Sequence, residues 1–230
     1  MELLVFGHAG ARVFVFPTSM GRFFDWENRH MMELLGHHIE NGWLQVYCVD
    51  SVDSESWYND HADPCQKAAR HMQFHDYMIN EVLPFSRSKN DNPFSIAVGA
   101  SFGAYHAVNI GLRFPWHFNR ILAMSGLYDL NGWTHGYQSE AIYLSNPLEY
   151  MKWLNDPAKL EQIKKMDIIL PIGRDDQSFE RSHGFSNVLW ERGVWHAFRV
   201  WDGMAHDWQY WEKMLLLYIA GQNTSNSSAA

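Results

Sequence analysis

Short runs rich in β-branched and aromatic residues alternate with longer stretches of helical periodicity along nearly the whole chain, and that alternation constrains the fold more than any other feature. Leu3–Phe6, Arg12–Phe16, Trp43–Val49, Phe94–Val98, Arg120–Met124, Met166–Ile172 and Ala197–Trp201 read as strands. Between them lie helical patterns, at Glu27–Ile39 through Met31, Leu34, Leu35 and Ile39, at Lys67–Val82 ahead of Pro84, at Ser101–Arg113, at Phe179–Glu191 and at Asp207–Ile219. Strand runs separated by helices predict an α/β fold, with a mostly parallel central sheet of about eight strands and helices on both faces. The first two strands, joined through Gly7–Ala11, are expected to form a hairpin at the sheet edge. With 230 residues, 47% of them apolar, the chain is long enough for one sizeable core. Residues 1–220 are read as a single domain, 126–165 as an insertion lining or covering a site, and 221–230 as a flexible tail rich in Asn, Ser and Ala.

Charge and composition narrow the partners. The 26 acidic against 18 basic side chains leave a formal charge of -8, which repels nucleic acid and anionic lipid alike. No apolar run reaches the ~20 residues of a membrane span, and Met1–Gly10 has no basic segment followed by an apolar one, so the expectation is a cytoplasmic protein without membrane contact. Two cysteines, Cys48 and Cys65, give neither a disulfide framework nor a metal-ligand spacing. His71 and His75, four apart on a helix with Asp76 and His61 near, are read as a surface pair rather than a metal site, and no metal or cofactor is expected.

The chemistry is expected around Gly99-Ala100-Ser101-Phe102-Gly103, which falls where the Phe94–Val98 strand gives way to a helix. A nucleophile on so sharp a turn has a strained backbone, and the residues two before and two after it must be small. Such a turn also aims the amide of Phe102 and the helix amino terminus at an oxyanion formed on a carbon attacked by Ser101. By composition alone this five-residue pattern arises in about one chain in a dozen of this length, so the strand before it and the helix after it carry the argument. A serine hydroxyl also needs a base, usually a histidine oriented by a carboxylate. Asp175 and Asp176 follow the Met166–Ile172 strand, and His206 sits between the last strand and the last helix. Parallel strands present their carboxyl ends on one side, so the three loops are expected to converge.

Phe16-Pro17-Thr18-Ser19-Met20-Gly21, Gly99–Ala104, Gly173–Asp176 and Gly203–Trp208 together resemble the putative esterase family, the esterase D-like branch of the α/β-hydrolases. The resemblance implies an α/β-hydrolase fold and cleavage of a small-molecule carboxylic ester through an acyl-enzyme. It further implies Ser101 as nucleophile, His206 as general base and Asp176 as the orienting acid, with Asp175 the rival. A second oxyanion donor is implied from the amide of Ser19 or of Met20. The family's loop there is more often His-Gly rich; Pro-Thr-Ser-Met-Gly departs from it. Acyl transfer to an alcohol or sugar by the same triad, and a binding module that has lost its chemistry, are the competing readings. Trp57, Tyr58, Trp133 and Tyr137 are the candidates for the substrate pocket, suited to an aromatic or carbohydrate ester.

Overall fold

The computed structural model describes residues 1–221; the tail from 222 onward lies outside the described residues. Seven strands form one sheet: β1 (Leu3–Phe6), β2 (Ala11–Phe16), β3 (Leu44–Val49), β4 (Ser95–Ala100), β5 (Arg120–Met124), β6 (Asp167–Gly173) and β7 (Ala197–Trp201). Their order is β1-β3-β2-β4-β5-β6-β7, and every neighbouring pair is parallel except β1 with β3. The helices are α1 (Asp25–Asn28), α2 (Met31–Leu34), α3 (Gly36–Glu40), α4 (Pro64–Tyr77), α5 (Leu83–Lys89), α6 (Phe102–Arg113), α7 (Asn131–Thr134), α8 (Glu140–Ser145), α9 (Pro147–Trp153), α10 (Pro157–Ile163), α11 (Phe179–Glu191) and α12 (Trp208–Tyr218).

Successive residues of a strand point to opposite faces, and both faces here are apolar. Phe14, Phe16, Ala97, Ile121, Ala123, Ile168 and Leu170 pack on one face under α4, α6 and α11. Val13, Val15, Ile96, Val98, Leu122, Met124 and Ile169 pack on the other, under α2 and α12. Continuous burial of β3 and β4 follows from these two layers.

Four expectations are corrected. The sheet has seven strands, one fewer than expected, and the edge hairpin does not form: β1 pairs with β3, which lies between β1 and β2. Gly7–Ala11 has to cross only one intervening strand, about 10 Å between outer neighbours, within the reach of five residues. An edge place for β1 leaves its side chains mostly half-buried, whereas β3 gains a neighbour on each side. The helix read over Glu27–Ile39 is instead three single turns, because His30 takes a left-handed conformation at φ 57 between α1 and α2. The helix expected to end before Pro84 continues: a π-helical turn over Met78–Val82 joins α4 to α5, which begins with the proline near its amino end. Pro84 lacks an N–H for the carbonyl one turn back, and widening that turn accommodates the ring.

Candidate active site

Ser101 stands between β4 and α6 at φ 55 and ψ -121, outside the regions an ordinary side chain prefers. Two glycines allow it. A Cβ on Gly99 would overlap the carbonyl group of Gly103, and one on Gly103 would lie 2.5 Å from the Phe16 oxygen and 2.6 Å from the Pro17 oxygen. The same close approach therefore packs the loop after β2 against the first turn of α6. Ser101 itself is held by its amide, which donates to the Met124 carbonyl of β5 at 2.9 Å.

The other two loops meet it. Gly173 ends β6 where a Cβ would overlap the Met204 carbonyl, so the loops after β6 and β7 touch. His206 Nδ1 lies 2.7 Å from Asp176 Oδ2, and its Nε2 lies 3.0 Å from Ser101 Oγ. A carboxylate only accepts, so Nδ1 carries the imidazole proton and Nε2 accepts from the serine hydroxyl. Asp176 is buried, with its other oxygen accepting the Ser178 amide at 2.8 Å, while the His206 side chain is 30% exposed. Asp175 is exposed and its side chain is not part of this relay. The amide dipoles of α6 converge on Phe102, whose own N–H, first in the helix, has no intrahelical acceptor.

Across from Phe102 lies the loop Pro17–Gly21. Thr18 donates its amide and hydroxyl to Asp25 Oδ2, each at 2.9 Å; Met20 donates its amide to Asp53 Oδ2 at 3.0 Å; Gly21 donates to the Thr18 carbonyl at 2.8 Å. Of the two amides left open by the sequence, that of Met20 is thus engaged, and that of Ser19 has no acceptor among the described residues. The Ser19 hydroxyl accepts from Tyr58 at 2.8 Å. Burial raises the Tyr58 phenol above its ordinary pKa, which keeps it a donor.

The candidate pocket aromatics fall in two places. Trp133 stacks on Phe102 at 5.5 Å, and Tyr58 meets both rings edge-on at 5.1 Å, so the segment 126–165 is seated on the residue after Ser101. Tyr58 and Trp133 wall a hollow of about 310 Å³ together with Trp57. Trp57 is only 1% exposed, its indole packed among Ala68, Tyr105 and Leu130. Tyr137 lines a separate cavity of about 740 Å³ within that segment, with Asn131, Gln138, Glu140 and Tyr143. Ser101 and His206 line neither hollow.

His71 and His75 are not a surface pair. Both are buried, their rings 4.4 Å apart between α4 and α6, and among the described residues no three His, Cys, Asp or Glu side chains form a metal-holding group. Cys48 and Cys65 are free thiols. No helix among the described residues is long and apolar enough to cross a membrane. Ser125 is a supporting residue that no motif in the sequence marks. Ser125, at φ 52 just past β5, donates its hydroxyl to the Ala205 carbonyl and accepts from Trp211 Nε1, each at 3.0 Å, which fixes the backbone next to His206. Its position at the carboxyl end of the strand beside β4 was the available signal.

The sheet order and the serine on a strand-to-helix turn, with a histidine and an acid on later loops, define an α/β-hydrolase. The pattern of the putative esterase family matches residues 31–218, and the chain belongs to that family. An acetyl esterase of Caldicellulosiruptor saccharolyticus is 27% identical over 164 residues, 62% of this chain, which spans 60% of that protein's length. The fold is also that of a ferulic acid esterase, with a TM-score of 0.67 and 20% identity over 90% of this chain and 82% of the other. An S-formylglutathione hydrolase from Agrobacterium tumefaciens shares it with a TM-score of 0.68 and 15% identity, over 93% and 85% of the two chains.

Proposed function

We propose that this protein is a serine carboxylic-ester hydrolase that works through an acyl-enzyme. The observation that carries the reading is the continuous relay from Ser101 Oγ through His206 to the buried Asp176, at 3.0 Å and 2.7 Å. His206 Nε2 takes the hydroxyl proton as Oγ attacks the ester carbonyl, and Asp176 holds the imidazolium that results. The amides of Phe102 and Ser19 receive the oxyanion. His206 then returns the proton to the leaving alcohol. Water enters, gives a proton to His206 and releases the acid, restoring the Ser101 hydroxyl as the proton comes back.

The substrate is a small ester or an aromatic or carbohydrate ester. The rings of Tyr58 and Trp133 beside the nucleophile turn support the aromatic or carbohydrate choice, and the segment 126–165 lines or covers the site. Residues 1–220 act as one domain, and the two free thiols fit a reducing cytoplasm.

Intact mass and peptide mapping after treatment with a small fluorophosphonate test the reading. One adduct is expected on Ser101, absent in Ser101→Ala and formed far more slowly in His206→Ala, together with turnover of a panel of acetyl and feruloyl esters. Labelling elsewhere, or none in a protein that also turns over no ester, would refute it.

A further inference from the structure

Two charged or titratable groups beneath the site take no part in the relay. Asp53, in the 3-10 turn after β3, and His106, on α6 one turn beyond Phe102, both have fully buried side chains. His106 Nε2 lies 2.8 Å from Asp53 Oδ1, while Asp53 Oδ2 accepts the Met20 amide at 3.0 Å. The Asp53 carbonyl also accepts the amide of Tyr58 at 2.9 Å, and Tyr58 in turn holds the Ser19 hydroxyl. One buried residue thus ties α6 to the loop Pro17–Gly21 and reaches both residues of the Ser19–Met20 peptide.

We propose that the Asp53–His106 pair is a positioning device for the oxyanion site, bracing the loop that carries the Ser19 amide against the helix that carries the Phe102 amide. The inference rests on the ester-hydrolase reading. Every other amide of the loop is engaged, those of Thr18 and Gly21 by Asp25 and the Thr18 carbonyl and that of Met20 by Asp53, which leaves the Ser19 amide as the loop's donor without an acceptor among the described residues. Met20 sits in a left-handed conformation at φ 60, which its amide bond to Asp53 helps to hold. His106 has a second task. A carboxylate aimed at this loop opposes a developing oxyanion, and the imidazole N–H offsets that charge. His106 Nδ1 has no partner, so the ring's one hydrogen bond is the one Nε2 donates to the Asp53 carboxylate, and the ring packs edge-on to Phe102 at 5.0 Å.

Steady-state hydrolysis of 4-nitrophenyl acetate, paired with inhibition by an aryl trifluoromethyl ketone that puts an oxyanion in the same place, tests the proposal. Asp53→Ala is expected to lower kcat about 10²- to 10³-fold, the effect of losing one oxyanion donor, with KM changed less than about threefold. The ketone should weaken by the same factor as kcat. Asp53→Asn still offers an oxygen to Met20 and an N–H to the other tautomer of His106, so it should keep kcat within about tenfold. His106→Leu leaves the Met20 bond in place, should fall between, and decides the matter if Asp53→Ala does not fold. A folded Asp53→Ala or His106→Leu with unchanged kcat would overturn the proposal, as would a loss of kcat that the ketone does not share. So would Asp53→Asn impaired as badly as Asp53→Ala. Wild-type protein that is neither labelled on Ser101 nor active on any ester would instead sink the ester-hydrolase reading itself, and this inference with it.

Discussion

Lowering the pH from 8 to 5.5 should cost this fold about 3 kcal/mol through two histidines alone. His71 and His75 lie buried on α4 with both pKa values held well below the ordinary imidazole range. Burial is the main cause for each. His106 and the Arg113 guanidinium add to it at His71, as His71, Arg113 and His106 do at His75. The hydrogen bonds agree. Arg113 Nη1 donates to His75 Nδ1, and His71 Nδ1 faces Ser145 Oγ at 3.2 Å. Ser145 Oγ and the Tyr105 hydroxyl beside it both spend their protons on carbonyls, so His71 Nδ1 is the donor there. A second proton on either ring would face a cation or an empty apolar wall.

The sign follows from these directions. Above about pH 6.5 both histidines are neutral, folded or unfolded, and contribute no pH dependence. Below it the unfolded chain binds protons that the folded chain refuses, so stability falls with pH until the depressed folded values are reached. At pH 5.5 each neutral histidine costs about 1.4 kcal/mol, hence about 3 for the pair, against a typical total of roughly 5–15 kcal/mol. Buried His196 works in the same direction, and exposed His30, raised by Glu33, in the opposite one. Urea unfolding followed by tryptophan fluorescence should show the midpoint dropping roughly 1 M or more over this interval. The double variant His71→Phe, His75→Asn, which leaves an acceptor for Arg113, should lose most of that slope. An unchanged midpoint in the wild type, or an undiminished slope in the variant, would refute the claim that these rings stay neutral.

Two further outcomes concern the site. Asp176→Asn should lower kcat by about 10⁴-fold while Asp175→Asn stays within about twofold, measured on one activated ester; equal losses would remove Asp176 from the relay. Gly99→Ala, whose new methyl group would collide with the Gly103 backbone, should destabilise the protein by about 2–4 kcal/mol and lower its melting temperature in step. Wild-type melting in that variant would mean that the turn relaxes freely and is not held by its neighbours.

How far the sequence could be read depended on whether the constraint was local. Gly99 is legible because the collision it avoids, with the Gly103 backbone, lies within five residues of one chain, whereas the room Gly103 leaves is taken by Phe16 and Pro17 of a distant loop. The acid narrowed to Asp175 or Asp176 for the same reason: both follow β6, and only the direction each takes out of the loop separates a buried partner of His206 from an exposed neighbour. Strand pairing is not local. Leu3–Phe6 and Arg12–Phe16 look like a hairpin from their spacing, yet β3, buried along its whole length, takes the place between them with a neighbour on both edges. The burial of Trp57 and of His71 could not be foreseen, since α6 and α8, from well down the chain, supply what covers them. Engagement of the Met20 amide by a carboxylate 33 residues later left no trace in any motif.

The sheet order explains why the loop after β2 and the turn after β4 share one site. From β2 the chain leaves through α1–α3 toward the face that α12 also covers; from β4 it leaves through α6 toward the opposite face. β2 and β4 are hydrogen-bonded neighbours, Phe16 opposite Gly99, so their connections part directly beyond the carboxyl ends of two adjacent strands. Parting chains leave a crevice, and open α/β sheets bind ligands at such a switch point. Ser101 and the loop Pro17–Gly21 form its two walls. Opposed walls on separate layers have no backbone hydrogen bonds of their own across the gap, so their spacing has to be set from beneath. At 2.8 Å and 3.0 Å from its two partners, the buried carboxylate of Asp53 bridges α6 and the loop at that depth.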